Sequence, residues 1–261
     1  MAGRVPLRQA IATSQGKRDR TRQVFATIAD RYDLINVLLS FNRDRRWKRR
    51  LVQEAAVRPG ERALDLACGT GDITFSLADE GAAAVGLDVT PRMIALARQK
   101  QGSRISRTSG PSNLQAAAGA LFLVGDMLSL PFGSATFDVV TTGYGVRNAP
   151  DMRAALCEIL RVLKPGGRFY SLDFNRPGNA VVGGAYLAYL SVVGSVIGWV
   201  VHRDAETYRY IAETVRVHPG GAAVAALLTS AGFEHASYEP VFGGFMAMHA
   251  ARKAEHSVND D

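Results

Sequence analysis

The sequence predicts an α/β fold: a doubly wound, mostly parallel sheet of seven strands with helices on both faces and an antiparallel hairpin at its C-terminal end. Three observations predict it. Short runs rich in Val and Leu recur along the chain, helical stretches separate most of them, and a glycine-rich turn follows the first run. Apolar strands that each return after a helix are typical of a parallel sheet covered on both faces.

The first element is an expected helical cap over residues 16–58. Val24, Phe25 and Ile28 recur there at helical spacing, and Lys and Arg fill much of the remainder. Residues 1–15 contain Arg4 and Arg8 but no acidic residue, and we expect them to form a flexible basic arm before the cap.

Strands and helices then alternate as a Rossmann-like fold requires. The strands are predicted over 62–67, 83–88, 121–125, 137–142 and 167–174. Helices are predicted over 71–80, 90–101 and 151–164, the last with Lys164 in its final turn and Pro165 as its stop. The small and polar residues 102–120 are interpreted as mostly a surface insertion.

Two more strands, 235–241 and 245–252, follow a helical insertion at 175–218. Gly243-Gly244 separates them without a helix, which indicates a hairpin and hence an antiparallel edge. Residues 16–254 are therefore predicted to be a single domain, with 255–261 as a flexible tail.

Composition and charge exclude several classes of protein. With 261 residues, 47% of them hydrophobic and 21% charged, the chain is too apolar for a disordered protein. Two cysteines cannot form a disulfide framework or a zinc site, so we expect a cytoplasmic protein. Residues 1–50 carry 13 Lys and Arg against 4 Asp and Glu. This local excess suits an anionic membrane surface or a solvated helix face, and the absence of a basic stripe elsewhere disfavours nucleic acid.

Residues 180–201 form an uncharged stretch of 22 residues, long enough for a membrane-spanning helix. It contains four glycines and two serines, and the strands on either side of it belong to one sheet. We therefore interpret it as an interfacial or water-exposed helix that covers an apolar pocket, with peripheral contact to the inner face of the membrane as an option.

A glycine turn ends the first strand in the run L-D-L-A-C-G-T-G-D, residues 64–72. Gly69 and Gly71 allow the backbone to approach a ligand closely, and Asp88 at the end of the second strand can accept hydrogen bonds from ribose hydroxyls. A dinucleotide site needs a third glycine where Thr74 stands, and Asp72 would repel a pyrophosphate. S-adenosylmethionine, which has no phosphate, fits better, although a purely structural turn is the alternative.

The run G-D-M-L-S-L-P-F, residues 125–132, follows the third strand. Asp126 can accept a hydrogen bond from an adenine amino group, and Met127 can pack on the ring. The alternative for Asp126 is a turn or a helix cap.

Three further motifs carry a family resemblance: Y-D-L-I-N-V-L-L-S (32–40) with Trp47-Lys48, G-Y-G-V-R-N-A-P-D (143–151) and Y-R-Y-I-A-E-T (208–214). With the glycine turn they make the chain, over residues 20–253, similar to the UbiE/MenG family of quinone C-methyltransferases, which are class I S-adenosylmethionine-dependent methyltransferases. The resemblance implies S-adenosylmethionine as the methyl donor and a ring carbon of an isoprenoid hydroquinone as the acceptor. The expected donor-binding residues are Asp65, Gly69, Thr70, Gly71, Asp88, Asp126 and Met127.

The chain departs from that family at a few positions. Asn42 and Asp44 stand where the family usually has Gly and His, and Gly143 stands where Ser is frequent. Asn tolerates a positive φ better than most residues, so the turn at Asn42 is expected to persist. A role of the family histidine does not carry over to Asp44.

The expected catalytic residues are Arg147, Asn148 and Tyr32. Arg147 cannot act as a base, but it can stabilise a phenolate while a water takes the proton. The alternative for Arg147 is an ion pair with Asp151, and Tyr32 could be a core residue. His202, His218 and Asp33 are weaker candidates for the base. No metal ligands cluster in the sequence, and methyl transfer from a sulfonium needs no metal.

The function predicted from these residues is methylation of demethylmenaquinol to menaquinol. The benzoquinol precursor of ubiquinone and a phytylated naphthoquinol are alternative acceptors. Two other classes stay open: a lipid-binding scaffold without activity, and an RNA methyltransferase suggested by the basic N-terminus. A second copy of the chain, forming a homodimer, is a further candidate partner.

Overall fold

The computed structural model describes residues 13–40, 42–107, 119–203 and 205–255. Three helices precede the sheet: α1 (Ser14–Ile28), α2 (Tyr32–Leu39) and α3 (Asp44–Ala55). A single 3₁₀ turn, Ala29–Arg31, joins the first two. Asn42 has a φ of +61°, so the predicted left-handed turn before α3 is confirmed.

Strands and helices alternate over much of the rest of the chain, and the strands follow in the predicted order. The elements are β1 (Arg62–Leu66), α4 (Asp72–Asp79), β2 (Ala83–Asp88), α5 (Pro91–Arg107), β3 (Ala120–Val124), β4 (Phe137–Gly143), α6 (Met152–Val162), β5 (Leu163–Phe174), α7 (Ala180–His202), α8 (Ala205–Val217), α9 (Gly221–Ser230), β6 (Glu234–Val241) and β7 (Met246–Arg252). A 3₁₀ turn, Val146–Asn148, follows β4.

The seven strands form one sheet in the order β3-β2-β1-β4-β5-β7-β6. The first five pair in parallel, and β7 pairs antiparallel with both β5 and β6. The predicted fold class is therefore confirmed. The strand order reverses between β1 and β4, and ligands of such sheets bind outside the carboxyl ends of the strands at that point.

Helices cover both faces of the sheet, as the predominantly apolar strands require. One face buries a cluster that includes Leu51 of α3, Leu77 of α4 and Ile94 of α5. The opposite face buries a cluster that includes Ile159 of α6 and Leu228 of α9. This core holds the carboxyl ends of the strands in place beneath the N-terminal helices.

Two predicted boundaries are wrong. Helix α5 continues to Arg107 and β3 begins at Ala120, so the ends of the expected surface insertion 102–120 are regular structure, while 108–118 lie outside the described residues. Helix α6 ends at Val162, and Lys164 belongs to the strand rather than to the helix. Pro165 explains the second difference, because the residue before a proline is pushed into extended conformation.

Helix α7 covers most of the predicted insertion 175–218, and the side chain of Asn179 accepts hydrogen bonds from the N–H groups of Val181 and Val182 at its start. Among the described helices, none has the length and apolar character needed to cross a membrane. The predicted N-terminal arm and C-terminal tail fall largely outside the described ranges.

Candidate active site

The glycine turn joins β1 to α4 and is held by the neighbouring strand. Gly69 and Gly71 have φ values of +55° and +91°, which favour glycine. The N–H of Gly69 donates to Oδ2 of Asp88 at 3.0 Å. A Cβ on Gly69 would lie 3.3 Å from the ring of Tyr32, so α2 presses directly on the turn. The turn is thus fixed from below by β2 and covered by the N-terminal helices.

A cavity of about 690 Å³, here called the turn cavity, opens above this turn. It brings together most of the residues that were predicted to bind the donor or to act in catalysis. Those that line it are Gly69, Asp88, Asp126, Met127, Asn148 and Tyr32. Helix α1, which the sequence analysis did not assign to a site, adds Arg18, Thr21, Arg22 and Phe25 to the same wall.

The two carboxylates of the turn cavity differ in environment. Asp88 is buried, and this burial raises its pKa although the N–H groups of Thr90 and Gly69 donate hydrogen bonds to it. Asp126 accepts a hydrogen bond from the N–H of Leu128 at 3.0 Å, and a guanidinium nitrogen of Arg18 lies 3.7 Å from Oδ2. The alternative turn role of Asp126 is therefore present as well.

Three predicted donor residues lie behind the turn instead of in the cavity. Asp65 is fully buried and accepts hydrogen bonds from the hydroxyls of Thr74 and Thr141, and burial raises its pKa to about 7. Thr70 donates to Asp33 at 2.7 Å on the far side of the turn. A Cβ on Gly71 would lie 2.8 Å from a ring carbon of Phe122. These residues shape the turn without facing its cavity.

A second cavity of about 850 Å³, here called the apolar cavity, lies beside the first. Its walls come from α1, α2, α3, α7 and α8, from the segment after β4, from the end of β5, and from the loop between β6 and β7 with the start of β7. Aliphatic and aromatic side chains dominate the walls, among them Val24, Ile28, Leu39, Trp47, Phe174, Tyr186 and Phe242. Phe25, Tyr32 and Tyr144 line both cavities, so the two meet at these three rings.

Arg147 lines the apolar cavity, but its predicted alternative partner is wrong. Its Nε lies 3.0 Å from Oδ1 of Asp173, and Nη1 donates to Thr214. The guanidinium carbon lies 4.9 Å from the ring centroid of Phe174. Asp151 instead caps α6 by accepting from the N–H of Ala154. Arg147 is therefore a buried, fixed cation at the cavity wall.

Asn148 and Tyr32 are the other two predicted catalytic residues. The amide of Asn148 donates to the carbonyl oxygen of Tyr144 at 2.8 Å and accepts from the hydroxyl of Tyr210 at 3.2 Å. Burial raises the pKa of Tyr32 to about 12, so this phenol is neutral at physiological pH.

The alternative bases lie away from the junction of the cavities. Asp33 forms an ion pair with Lys100 at 2.6 Å and lines neither cavity. His218 also lines neither, and its Nδ1 accepts from the N–H of Gly220. The side chain of His202 lies outside the described residues.

A buried charge network, which the sequence analysis did not assign to catalysis, adjoins the apolar cavity. The hydroxyl of Tyr144 donates to Oδ1 of Asp44 at 2.7 Å, and Nζ of Lys48 lies 2.7 Å from Oδ2 of the same carboxylate. Lys48 also lies 3.1 Å from Asp72. The sequence carries only a weak signal for this network: Tyr144 lies inside the motif 143–151, and Asp44 stands where the family usually has a histidine.

The sheet order, the glycine turn after β1 and the carboxylate at the end of β2 define the class I fold of S-adenosylmethionine-dependent methyltransferases. A SAM-dependent methyltransferase from Thermotoga maritima shares it, with a TM-score of 0.60, 17% identity and coverage of 89% of this chain and 99% of that one. A SAM-dependent methyltransferase from Aquifex aeolicus has a TM-score of 0.54 at 15% identity, covering 78% and 88% of the two chains.

The sequence profile of the ubiE/COQ5 methyltransferase family matches residues 13–253, and the chain belongs to this family. The ubiquinone/menaquinone biosynthesis C-methyltransferase UbiE of Azotobacter vinelandii is 36% identical over 248 residues, which are 94% of each chain. The enzyme of the same name from Yersinia pestis is 38% identical over 240 residues, 91% of this chain and 92% of that one. The predicted family and enzyme class are confirmed.

Proposed function

We propose that the protein transfers a methyl group from S-adenosylmethionine to a ring carbon of a demethylated isoprenoid hydroquinone, with demethylmenaquinol as the acceptor. One observation carries the proposal: the turn cavity, which holds the carboxylates of Asp88 and Asp126, meets the apolar cavity at Phe25, Tyr32 and Tyr144. A sulfonium nucleoside suits the first cavity, and an oily aromatic ring suits the second. The names of the UbiE relatives agree with this pair of ligands.

The residues of the turn cavity fit the donor. Gly69 lines this cavity without a side chain, and the ring of Tyr32 lies directly against it, 3.3 Å from where a Cβ would stand. Asp88 would accept hydrogen bonds from the ribose hydroxyls, Asp126 from the adenine amino group, and Met127 would pack on the adenine ring. When bound, the donor supplies an electrophilic methyl group on its sulfonium. The three residues behind the turn would act by holding its shape.

The acceptor carbon must be electron-rich to attack that methyl group. Removing a proton from the adjacent ring hydroxyl gives a phenolate whose charge reaches the carbon. Arg147 at the cavity wall would stabilise this charge, because a buried guanidinium acts there with little screening. Tyr32 and Asn148 would orient the ring and the donor at the junction.

A peripheral contact with an anionic membrane belongs to the same proposal. Val192, Val196 and Trp199 are exposed on one face of α7, at spacings of four and three residues. Leu34 is exposed on α2, which packs against α7. An isoprenoid substrate dissolves in lipid, and such a surface beside a basic N-terminal region suits the cytoplasmic face of a membrane.

The test is to incubate the protein with isotope-labelled S-adenosylmethionine and a panel of chemically reduced demethylated quinones, followed by mass spectrometry. The panel holds demethylmenaquinol, the benzoquinol precursor of ubiquinone and a phytylated naphthoquinol. We expect label on the ring of demethylmenaquinol at the highest rate. Labelling of the benzoquinol alone would show that the benzoquinol, and not demethylmenaquinol, is the substrate. Donor binding without any ring labelling would contradict the proposal and favour a scaffold.

A further inference from the structure

The buried network of Tyr144, Asp44 and Lys48 has no role in the proposed function as stated so far. Tyr144 directly follows β4, at the switch point of the sheet, and its ring lines both cavities. Asp44 begins α3 and lines the apolar cavity while it is only 4% exposed. Burying a carboxylate beside an apolar cavity costs desolvation free energy that pairing with a lysine repays only in part, so the position of Asp44 calls for an explanation.

We propose that Asp44 is the final acceptor of the hydroquinone's hydroxyl proton and that Tyr144 relays this proton. The inference rests on the proposed function, because it concerns the acceptor of that reaction. It replaces the water that the sequence analysis assigned to this step. Arg147 keeps its role as the cation that stabilises the phenolate.

The geometry of the pair suits a relay. The Tyr144 hydroxyl donates its single hydrogen to Oδ1 of Asp44 at 2.7 Å. The hydroxyl oxygen keeps lone pairs that can accept a hydrogen bond from a substrate hydroxyl. Because the Tyr144 ring stands where the cavities meet, a hydroquinone oxygen bonded to it would place the neighbouring ring carbon close to the donor side.

The charges around the pair give Asp44 a cationic partner and do not make Tyr144 a base in its own right. Lys48 lies 2.7 Å from Asp44 and 3.1 Å from Asp72, so the buried carboxylate is paired. Burial lowers the pKa of Lys48, but Asp44 and Asp72 outweigh this effect and raise it above the ordinary value. Burial and the neighbouring Asp44 raise the pKa of Tyr144 well above its usual range, so Tyr144 passes a proton on and does not stay deprotonated.

The proton moves from the hydroquinone to Asp44 in two linked transfers. The hydroquinone O–H bond breaks and its proton binds the Tyr144 oxygen, while the Tyr144 hydrogen moves to Oδ1 of Asp44. The products are a hydroquinone phenolate and a neutral Asp44, and Lys48 stays charged. The ring carbon then bonds the sulfonium methyl, and the sulfur keeps the electron pair of the broken bond. Attack on the methyl group leaves a neutral dienone, whose ring proton passes to solvent water and leaves the methylated phenolate. This phenolate takes back the proton held by Asp44 through Tyr144, which gives the methylated hydroquinone and restores the carboxylate, with one proton released overall.

No other side chain in the described wall of the apolar cavity can take this proton as readily. Asp44 is the one carboxylate among the lining residues, and the lining contains no histidine or cysteine. Arg147 has no acceptor lone pair and is paired with Asp173. His218 is buried behind the cavity and lines neither space.

The test compares Tyr144→Phe and Asp44→Asn with wild type in methylation of the preferred hydroquinone. Loss of a proton-transfer partner typically costs about 10²–10⁴ in rate, and we expect kcat to fall at least 100-fold in both variants. We expect donor affinity, measured by calorimetry, to stay within about threefold, since neither side chain is assigned to the donor. Tyr238→Phe on β6 and Asp138→Asn, which loses a carboxylate paired with Lys164, are matched controls that should keep full activity.

A second acceptor separates proton transfer from a structural role. A ring-halogenated hydroquinone has a more acidic hydroxyl and loses its proton to water more readily. The ratio of wild-type to variant kcat should therefore shrink at least tenfold with this acceptor. If Tyr144→Phe does not fold, Asp44→Asn, which preserves the shape of the side chain, carries the test by itself.

Variants that keep wild-type kcat would overturn the inference while the proposed function stands. An equal deficit with both acceptors would overturn it too, because that pattern indicates misplaced substrate. A wild-type protein that methylates no hydroquinone overturns the proposed function itself, and the inference with it, so the two failures are distinguishable.

Discussion

Asp88 serves the turn and the proposed ribose site with the same carboxylate. Its two oxygens accept from the N–H groups of Gly69 and Thr90, at 3.0 and 2.8 Å. Each oxygen has a further lone pair that can accept from a ribose hydroxyl. The turn is therefore set in its ligand-ready form before the donor arrives.

The variant Asp88→Asn tests this assignment. An amide keeps the size of the side chain but loses the charge and one acceptor, and hydrogen bonds to charged groups contribute about 1.5–3 kcal/mol. We expect S-adenosylmethionine to bind roughly 10- to 150-fold more weakly in calorimetric titration, with Asp79→Asn on the surface of α4 as the unaffected control. Unchanged affinity would remove Asp88 from the donor site.

Arg147 makes a second prediction at the residue scale, because it is both a proposed charge stabiliser and half of a buried ion pair with Asp173. In Arg147→Met we expect turnover to fall far more than donor affinity. Removing one partner of a buried pair costs about 3–5 kcal/mol, so the free energy of unfolding should fall as well. Chemical denaturation and single-turnover kinetics measure the two effects.

The double variant Arg147→Met with Asp173→Asn separates stability from chemistry. It removes the uncompensated charge, so part of the lost stability should return while turnover should not. Recovery of turnover together with stability would show that Arg147 acts only through the fold.

These residues also show what a sequence can reveal about a site. Gly69 and Asp88 could be predicted because a glycine turn and an acid at the end of the next strand are local signals. Arg147 could be predicted as a site residue, but its ion-pair partner could not, because Asp173 lies 26 positions further along the chain, on β5. Asp44 and Tyr144 are 100 positions apart, and only the packing of α3 over β4 joins them.

At the scale of an element, helix α7 also has one property that the sequence predicts and one that it does not. Its uncharged stretch was visible in the sequence, but which residues face solvent depends on α8. Leu190 of α7 packs with Ala212 and Val215 of α8, and Trp199 is left 69% exposed. Amphipathic helices bind a lipid surface in proportion to the apolar area they insert, which makes this face testable.

We expect a variant with Val192, Val196 and Trp199 each changed to Ser to bind anionic phosphatidylglycerol vesicles on the order of tenfold more weakly than wild type in co-sedimentation. Leu121→Ser, at an exposed apolar position of β3, is the matched control. Methylation of a short-chain, water-soluble hydroquinone should be unchanged by the triple variant. Equal vesicle binding of all three proteins would contradict a membrane role for α7.

At the scale of the whole molecule, the alternation of strands and helices in the sequence predicts the fold more directly than it predicts the site. The parallel core could be predicted because most of its strands are short, apolar and separated by a helix. The antiparallel edge could be predicted because a glycine pair separates the last two strands. The apolar cavity could not, because five helices, several loops and the ends of two strands contribute to its walls from distant parts of the chain. Side-chain packing among those helices, rather than any local pattern, creates the space.

Two buried groups give the whole fold opposing dependences on pH. Burial lowers the pKa of His218 from 6.5 to about 4, and Arg147, His249 and Lys17 add to this effect while Asp173 opposes it. Burial raises the pKa of Asp65 from 3.8 to about 7, against hydrogen bonds from Thr74 and Thr141. The unfolded chain binds the extra proton in the first case, and the folded protein holds it in the second.

The contribution of His218 to the free energy of unfolding is therefore lost as the pH falls from 6.5 to about 4. The contribution of Asp65 is lost as the pH rises from 3.8 to about 7. Each pKa difference corresponds to roughly 3–4 kcal/mol, so the two trends largely cancel in the wild type. Urea unfolding at pH 7, 5.5 and 4 should show His218→Gln gaining up to about 3 kcal/mol on wild type toward acid pH. The free energy of unfolding of Asp65→Asn should fall relative to wild type as the pH is lowered over the same interval, because the asparagine cannot take up the stabilising proton. Parallel stability curves for all three proteins would contradict both assignments, and a trend in one variant alone would leave only that buried group responsible.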